Sequence, residues 1–152
     1  MTHDVDVVLD PTLAELSRLV GELAQAGLYA DVDVARRALE SRRQFNVIEA
    51  SSGLKIDLII RKERPFSTKE LGRRRRVDLG LGLEVAVATA EDTILSKLEW
   101  ASKAGGSERQ LSDVIGIIET NPGKLDTDYI ERWATELGVS DSWREAVGAA
   151  RK

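Results

Sequence analysis

Apolar positions along this chain change period several times, and each change marks an element. Val5 to Leu9 is a short valine-rich apolar run ended by Asp10-Pro11, which predicts a strand. From Thr12 to about Gly27 the residues Leu13, Leu16, Val20 and Leu23 recur on one helical face. Thr12 is suited to cap that helix and Gly27 to end it. A second, arginine-rich helical stretch is expected over 32–41. Phe45 to Glu49 and Leu54 to Ile60 then read as two strands joined by Ala50-Ser51-Ser52-Gly53, an antiparallel hairpin signal. Leu83 to Val87 is a further strand candidate.

The remainder carries helical spacing. Thr89 with Asp92 has the form of a capping box opening a helix through Ile94, Leu95, Leu98 and Ala101. Gly105-Gly106 breaks it, and Ser107 with Gln110 opens the next, whose stripe is Leu111, Val114, Ile115 and Ile118. Asn121-Pro122-Gly123 stops that stripe. Two more helices are expected around 129–137 and 142–150, each with a tryptophan, Trp133 or Trp143, on its buried side. The expected class is α/β (α+β): a small mixed sheet within 1–88 and a helical half over 89–152, together one domain.

Composition narrows the chemistry. With 152 residues, 42% of them hydrophobic and 32% charged, the chain suits a globular protein. It has no cysteine, which excludes thiolate zinc sites, thiol catalysis and disulfides. No apolar run approaches the length of a membrane span and the first residues do not form a secretory signal, so a cytoplasmic protein is expected. The net charge of -4 hides an asymmetry. Arg61, Lys62, Arg64, Lys69, Arg73, Arg74, Arg75 and Arg76 face only Glu63 and Glu70 within 61–76. By side-chain count that strip carries about +6, leaving about -10 elsewhere. It is either a solvated hairpin or helix end, or a dock for a localised polyanion such as a triphosphate or an RNA backbone.

Asp4-Val5-Asp6 is the informative constellation. Side chains two apart on a strand share a face, so both carboxylates can converge on one cation while Val5 and Val7 turn towards a core. Asp57 interrupts the apolar run 54–60, where an unpartnered charge would be costly. If that strand lies beside Val5 to Leu9, three carboxylates meet, and they repel one another unless a divalent cation neutralises them. The plain alternative is a solvated strand start. His3, the sole histidine, is assigned no role.

The segments Thr2-His3-Asp4-Val5-Asp6-Val7-Val8, Phe45-Asn46-Val47-Ile48 and Leu54-Lys55-Ile56-Asp57 resemble bacterial nucleotidyltransferase-like proteins related to the AbiEii toxins. So do Glu91-Asp92-Thr93-Ile94-Leu95-Ser96-Lys97-Leu98-Glu99-Trp100 and Gly105-Gly106-Ser107-Glu108-Arg109-Gln110-Leu111-Ser112-Asp113. The resemblance implies a polymerase-beta-like nucleotidyltransferase fold that moves a nucleoside monophosphate from a nucleoside triphosphate to an RNA (such as tRNA) or protein acceptor. It implies Mg2+ or Mn2+ held by Asp4, Asp6 and Asp57, with Asp57 also helping to activate the acceptor hydroxyl. Asp92 and Lys97 match a helix motif whose lysine contacts nucleotide phosphates, and Asp113 matches the acidic position of a later helix motif. Arg73 and Arg74 would dock the acceptor or the triphosphate tail. A toxin–antitoxin or phage-defence setting, with a cognate antitoxin, is implied in the same way, whereas a homodimer is expected from a strand edge that a missing N-terminal element would expose.

Each of these positions also has a plainer reading. Asp92 can simply cap its helix, Lys97 can lie along the core edge, and Asp113 can pair with Arg109. The family also carries a Gly-Ser loop upstream of its Asp-X-Asp strand, whose amides hold phosphates. That loop is expected to be missing here, because Met1 lies so close to Asp4. A catalytically inactive binding or regulatory protein of the same fold is therefore the rival expectation, and a structural oligomerisation module a third.

Overall fold

In the computed structural model the described residues are 4–103, 105 and 107–150, with the side chain of Asp4 outside the description. The fold is mixed α/β, as expected, and it divides into two compact units, 1–71 and 72–152.

The first unit contains β1 (Asp4–Leu9), α1 (Leu13–Gln25), β2 (Leu28–Tyr29), α2 (Val32–Ser41), β3 (Gln44–Glu49), β4 (Lys55–Ile60) and most of α3 (Pro65–Arg73). Its sheet runs in the order β1-β4-β3-β2, with β1 parallel to β4 and the other pairs antiparallel. Thr12 and Glu15 close a reciprocal capping box at the head of α1, and Gly27 takes φ +79° just past its end. Asp31 caps α2 by accepting the amides of Asp33 and Val34 at 2.9 Å each. The β3–β4 hairpin turns through 50–53, where Gly53 supplies φ +71°.

Alternation along the strands decides the core. Phe45 and Val47 from β3 and Leu58 and Ile60 from β4 are buried against Leu16, Val20, Ala35 and Ala38 of the two helices. Val7, Leu9 and Ile56 extend this layer. Val5 shares their face but is 51% exposed, so β1 enters the core only from Val7 onward. Its inward role thus falls short of the sequence expectation.

The second unit begins at the end of α3 and contains β5 (Arg75–Asp78), β6 (Glu84–Val87), α4 (Ala90–Lys103), α5 (Glu108–Thr120), α6 (Thr127–Leu137) and α7 (Ser140–Ala150). Strands β5 and β6 form a separate antiparallel ribbon. Ile94, Leu95, Leu98, Val114, Ile130, Ala134, Trp143 and Ala146 are buried in the helical core. There α4 packs on α5 and α6, and α7 packs on the same two helices. Gly138 ends α6 at φ +70°, letting the Val139 amide reach the Ala134 carbonyl at 2.8 Å. Trp143 is buried as expected, but Trp133 is only half-buried. Ser107 precedes α5 without a side-chain cap hydrogen bond.

Candidate functional site

The face of the first sheet turned away from α1 and α2 carries the polar constellation. In the parallel β1–β4 ladder Asp6 stands opposite Asp57, and in the β3–β4 ladder Asn46 stands opposite the same Asp57. Directly paired residues project from the same side of a sheet, and neighbouring strands lie about 4.8 Å apart. Asp6, Asp57 and Asn46 therefore form one row across three strands. The adjacency of these two strands, which the sequence posed only as a condition, is present. Asp4 stands opposite Lys55 in the ladder, one step back on the same face; its side chain lies outside the described residues, as does all of His3.

Within the row the environments differ. Asp6 and Asn46 are exposed, whereas the Asp57 side chain is only 17% exposed because its strand is central and flanked on both sides. Asp57 Oδ1 is buried without a hydrogen-bond partner. It does lie 3.1 Å from Lys55 Nζ, at an angle that gives a charge contact and no hydrogen bond, and Oδ2 is 3.5 Å from the same ammonium. A buried, ionised oxygen lacking a hydrogen bond is costly, and it is the type of atom a hard cation satisfies. Asp6 and Asp57 with the Asn46 amide oxygen offer a cation only oxygen donors, which suits Mg2+ or Mn2+ better than softer metals. Among the described residues no group of three His, Cys, Asp or Glu side chains converges as a complete metal site.

The basic strip runs from the segment after β4 through α3 into the exposed strand β5. Arg73 is turned inward in the second unit. Its Nε donates to Asp92 Oδ2 at 3.1 Å, its Nη2 lies 3.4 Å from Glu91 Oε2, and its guanidinium stacks 3.9 Å from the Tyr129 ring centroid. Asp92 is fully buried. Oδ1 accepts from Tyr129 Oη at 2.6 Å and Oδ2 accepts from Thr89 Oγ1 at 2.8 Å. The Asp92 amide in turn donates to Thr89 Oγ1 at 3.2 Å, the capping interaction expected from the sequence.

Both oxygens of Asp92 are thus engaged within the protein. Burial would raise the Glu91 carboxyl, but its own amide, the Asp126 amide, the Thr89 hydroxyl and Arg73 together hold it below the ordinary range. Arg73, despite a desolvation that works the other way, is held above its ordinary value chiefly by Asp92.

Lys97 meets Asp113 at 2.7 Å and Gln110 at 3.3 Å, joining α4 to α5. The partner of Asp113 is therefore this lysine from the neighbouring helix, where the sequence suggested Arg109. Arg74 and Arg75 are exposed, and Arg76 pairs across the ribbon with Glu84 at 2.8 Å. Sequence reasoning passed over Tyr129, Glu91, Asn46 and Lys55. The last two were legible as same-face neighbours of Asp57 by register and by i, i+2 spacing; the first two needed the helix packing.

A last polar cluster closes the C-terminal ends of β1 and β4. Asp10 accepts from Arg61 Nε at 2.8 Å and from Arg42 Nη1 at 2.9 Å, while Arg42 Nη2 reaches Glu63 at 2.5 Å. Hydrogen bonding from Arg61, helped by Arg42 and opposed by partial burial, holds the Asp10 carboxyl below its ordinary value. No helix among the described residues is long and apolar enough to cross a membrane. Compared with known proteins, the chain matches no protein-family model and no curated protein.

Proposed function

We propose that the face bearing Asp6, Asp57 and Asn46 is a divalent-cation site and that the chain is a nucleotidyltransferase-like protein. Its reaction would transfer a nucleoside monophosphate from a nucleoside triphosphate to a hydroxyl of an RNA or protein acceptor, breaking the α–β phosphoanhydride bond and releasing pyrophosphate and the hydroxyl proton. The observation that carries this reading is the in-register pairing of Asp6 with Asp57 on adjacent parallel strands, with Asp57 Oδ1 buried and lacking a hydrogen bond. The resemblance of the flanking motifs supports it.

In this reading Asp6 and Asp57 hold Mg2+ or Mn2+, with Asp4 as a third ligand. Bound there, the cation would supply charge stabilisation to the triphosphate and lower the pKa of a coordinated hydroxyl. Asp57, the least exposed of the row, accepts the acceptor hydroxyl's hydrogen bond and fixes its orientation. Asn46 offers an amide oxygen and two N–H donors beside it. Exposed Arg74 and Arg75 attract the polyanionic acceptor or the triphosphate tail. A cytoplasmic toxin–antitoxin or phage-defence setting, with a cognate antitoxin and a homodimer, belongs to the same proposal.

The second reading, a regulatory protein of this fold without the reaction, is favoured by one observation. Asp92 and Lys97, which the family motif assigns to the nucleotide, are both engaged internally. Calorimetric titration of Mg2+ or Mn2+ with each of the four nucleoside triphosphates, on the chain and on Asp57→Ala, separates the readings. Cation-dependent binding lost in Asp57→Ala, together with label transfer to RNA or protein, is expected of the enzyme. Binding without transfer supports the regulator, and no cation-dependent difference between the two proteins sinks the site itself.

A further inference from the structure

Lys55 lies two residues before Asp57 on β4, and the alternation of the strand puts both on the same face of the sheet. Its ammonium straddles the carboxylate, 3.1 Å from Oδ1 and 3.5 Å from Oδ2. Among the described residues of β1 to β4, it is the one cationic side chain on the face that holds Asp6, Asp57 and Asn46. In the ladder it stands opposite Asp4, so Asp4, Asp6, Lys55 and Asp57 occupy the four corners of a two-strand block. Three of those corners are acidic.

Two adjacent in-register acids repel each other, and cross-strand like charges destabilise a sheet. The chain nevertheless pairs Asp6 with Asp57 and lets the less exposed one lack a hydrogen bond at Oδ1. From this we infer that Lys55 is a built-in, displaceable counter-ion. It occupies the charge position beside Asp57 when no cation is bound and must withdraw when one binds. The inference rests on the proposal that this face is a cation site.

Three features make the ammonium suited to withdrawal. Its hydrogen bond to Oδ2 is long, at 3.5 Å, and its closer contact with Oδ1 is a charge contact without a hydrogen bond, so leaving breaks little well-aligned donor geometry. The Lys55 side chain is 45% exposed, so the freed ammonium returns to water at little desolvation cost. The flexible four-carbon stem allows that swing without moving the strand. Lys55 also biases which ions can enter. A monovalent ion replaces one positive charge by another and gains little, whereas a divalent ion adds a charge to a block with three acidic corners. Displacing the ammonium costs the same whichever ion enters, and the stronger attraction of a divalent ion to the carboxylates offsets that cost more fully.

The test measures Mn2+ binding to the full chain by the loss of the free-ion electron paramagnetic resonance signal. Wild type, Lys55→Met, Lys55→Gln and Asp57→Asn are compared, with far-ultraviolet circular dichroism to establish folding. Removing a half-exposed competitor should tighten Mn2+ binding about three- to fivefold in both lysine variants, while Asp57→Asn loses it.

A second readout needs no variant. Acylation of Lys55 by an N-hydroxysuccinimide ester, followed by mass spectrometry, should accelerate when Mn2+ is added to wild type. Equal or weaker Mn2+ binding by both lysine variants, or a Lys55 acylation rate unchanged by Mn2+ that does bind, overturns the counter-ion role and leaves the cation site standing. Absence of Mn2+ binding in wild type and in both lysine variants overturns the cation site and, with it, the role of Lys55.

Discussion

Tyr129 donates its phenol to Asp92 at 2.6 Å, tying the start of α6 to the start of α4 through a carboxylate with no exposure. Arg73 completes the arrangement by bonding the same carboxylate and stacking on the same ring. A charge buried this deeply persists because every lone pair it needs is met. Removing one member strands the others. Asp92→Ala should destabilise the protein by about 3 kcal/mol, and Tyr129→Phe by about 1 kcal/mol. Urea unfolding followed by fluorescence measures both. Similar small effects from the two variants would show that Asp92 is not held as described.

Lys97 and Asp113 call for a different experiment, because both are partly exposed. A double-mutant cycle with Lys97→Ala and Asp113→Ala should give a coupling of about 0.5 kcal/mol that shrinks at high salt. If Lys97 also contacts phosphates, Asp113→Ala should alter triphosphate affinity by releasing the lysine. Unchanged triphosphate affinity in both single variants confines this pair to joining α4 and α5.

Acid stability should depend on Asp10. Its folded pKa lies below the ordinary 3.8, so the native state binds fewer protons than the unfolded chain as that range is approached. The stability it contributes is present above pH 3.8 and is lost as pH falls through the lower folded value. Glu91, depressed from 4.5, adds to the same trend. In Asp10→Asn the urea midpoint should therefore fall less steeply between neutral and strongly acidic pH than in wild type. Parallel curves for the two proteins would remove Asp10 from the acid transition.

Arg42 combines two opposing effects. It ends α2 at φ +50°, a left-handed position that favours glycine, yet its guanidinium bridges Asp10 and Glu63. Arg42→Ala and Arg42→Gly both lose the bridge, but only glycine relieves the backbone. The glycine variant should be the more stable of the two by about 1 kcal/mol in chemical denaturation. Equal stabilities would place no strain at this position.

Much of the fold was legible because its signals are local. The Thr12 cap, Thr89 with Asp92 and the 50–53 turn each act within a few residues, and each is found where the spacing puts it. Elements without such signals were missed. Strand β2 is two residues long, α3 starts at Pro65 within a charged stretch, and β5 is made of exposed residues with little apolar alternation.

The candidate site divides along the same line. Asp4, Asp6 and Asp57 stood out as acids in apolar surroundings, but the register that sets Asp6 opposite Asp57 belongs to a long-range ladder that no local pattern encodes. The inward turn of Arg73 was hidden for the same reason. In the sequence it is one of four consecutive arginines, and only the packing of Tyr129 and Asp92 distinguishes it from the exposed Arg74 and Arg75.

All three tryptophans, Trp100, Trp133 and Trp143, lie in 72–152, and residues 1–71 contain none. Indole emission is therefore a private signal of the second unit, while far-ultraviolet ellipticity registers the helices of both. Trp143 is buried and Trp100 is 54% exposed, so iodide should quench one class of emitter well before the other. Recording the two optical signals in a single melt turns an uneven distribution of aromatic residues into a gauge of cooperativity: coincident curves mean one thermodynamic unit, and displaced curves time the melting of each half.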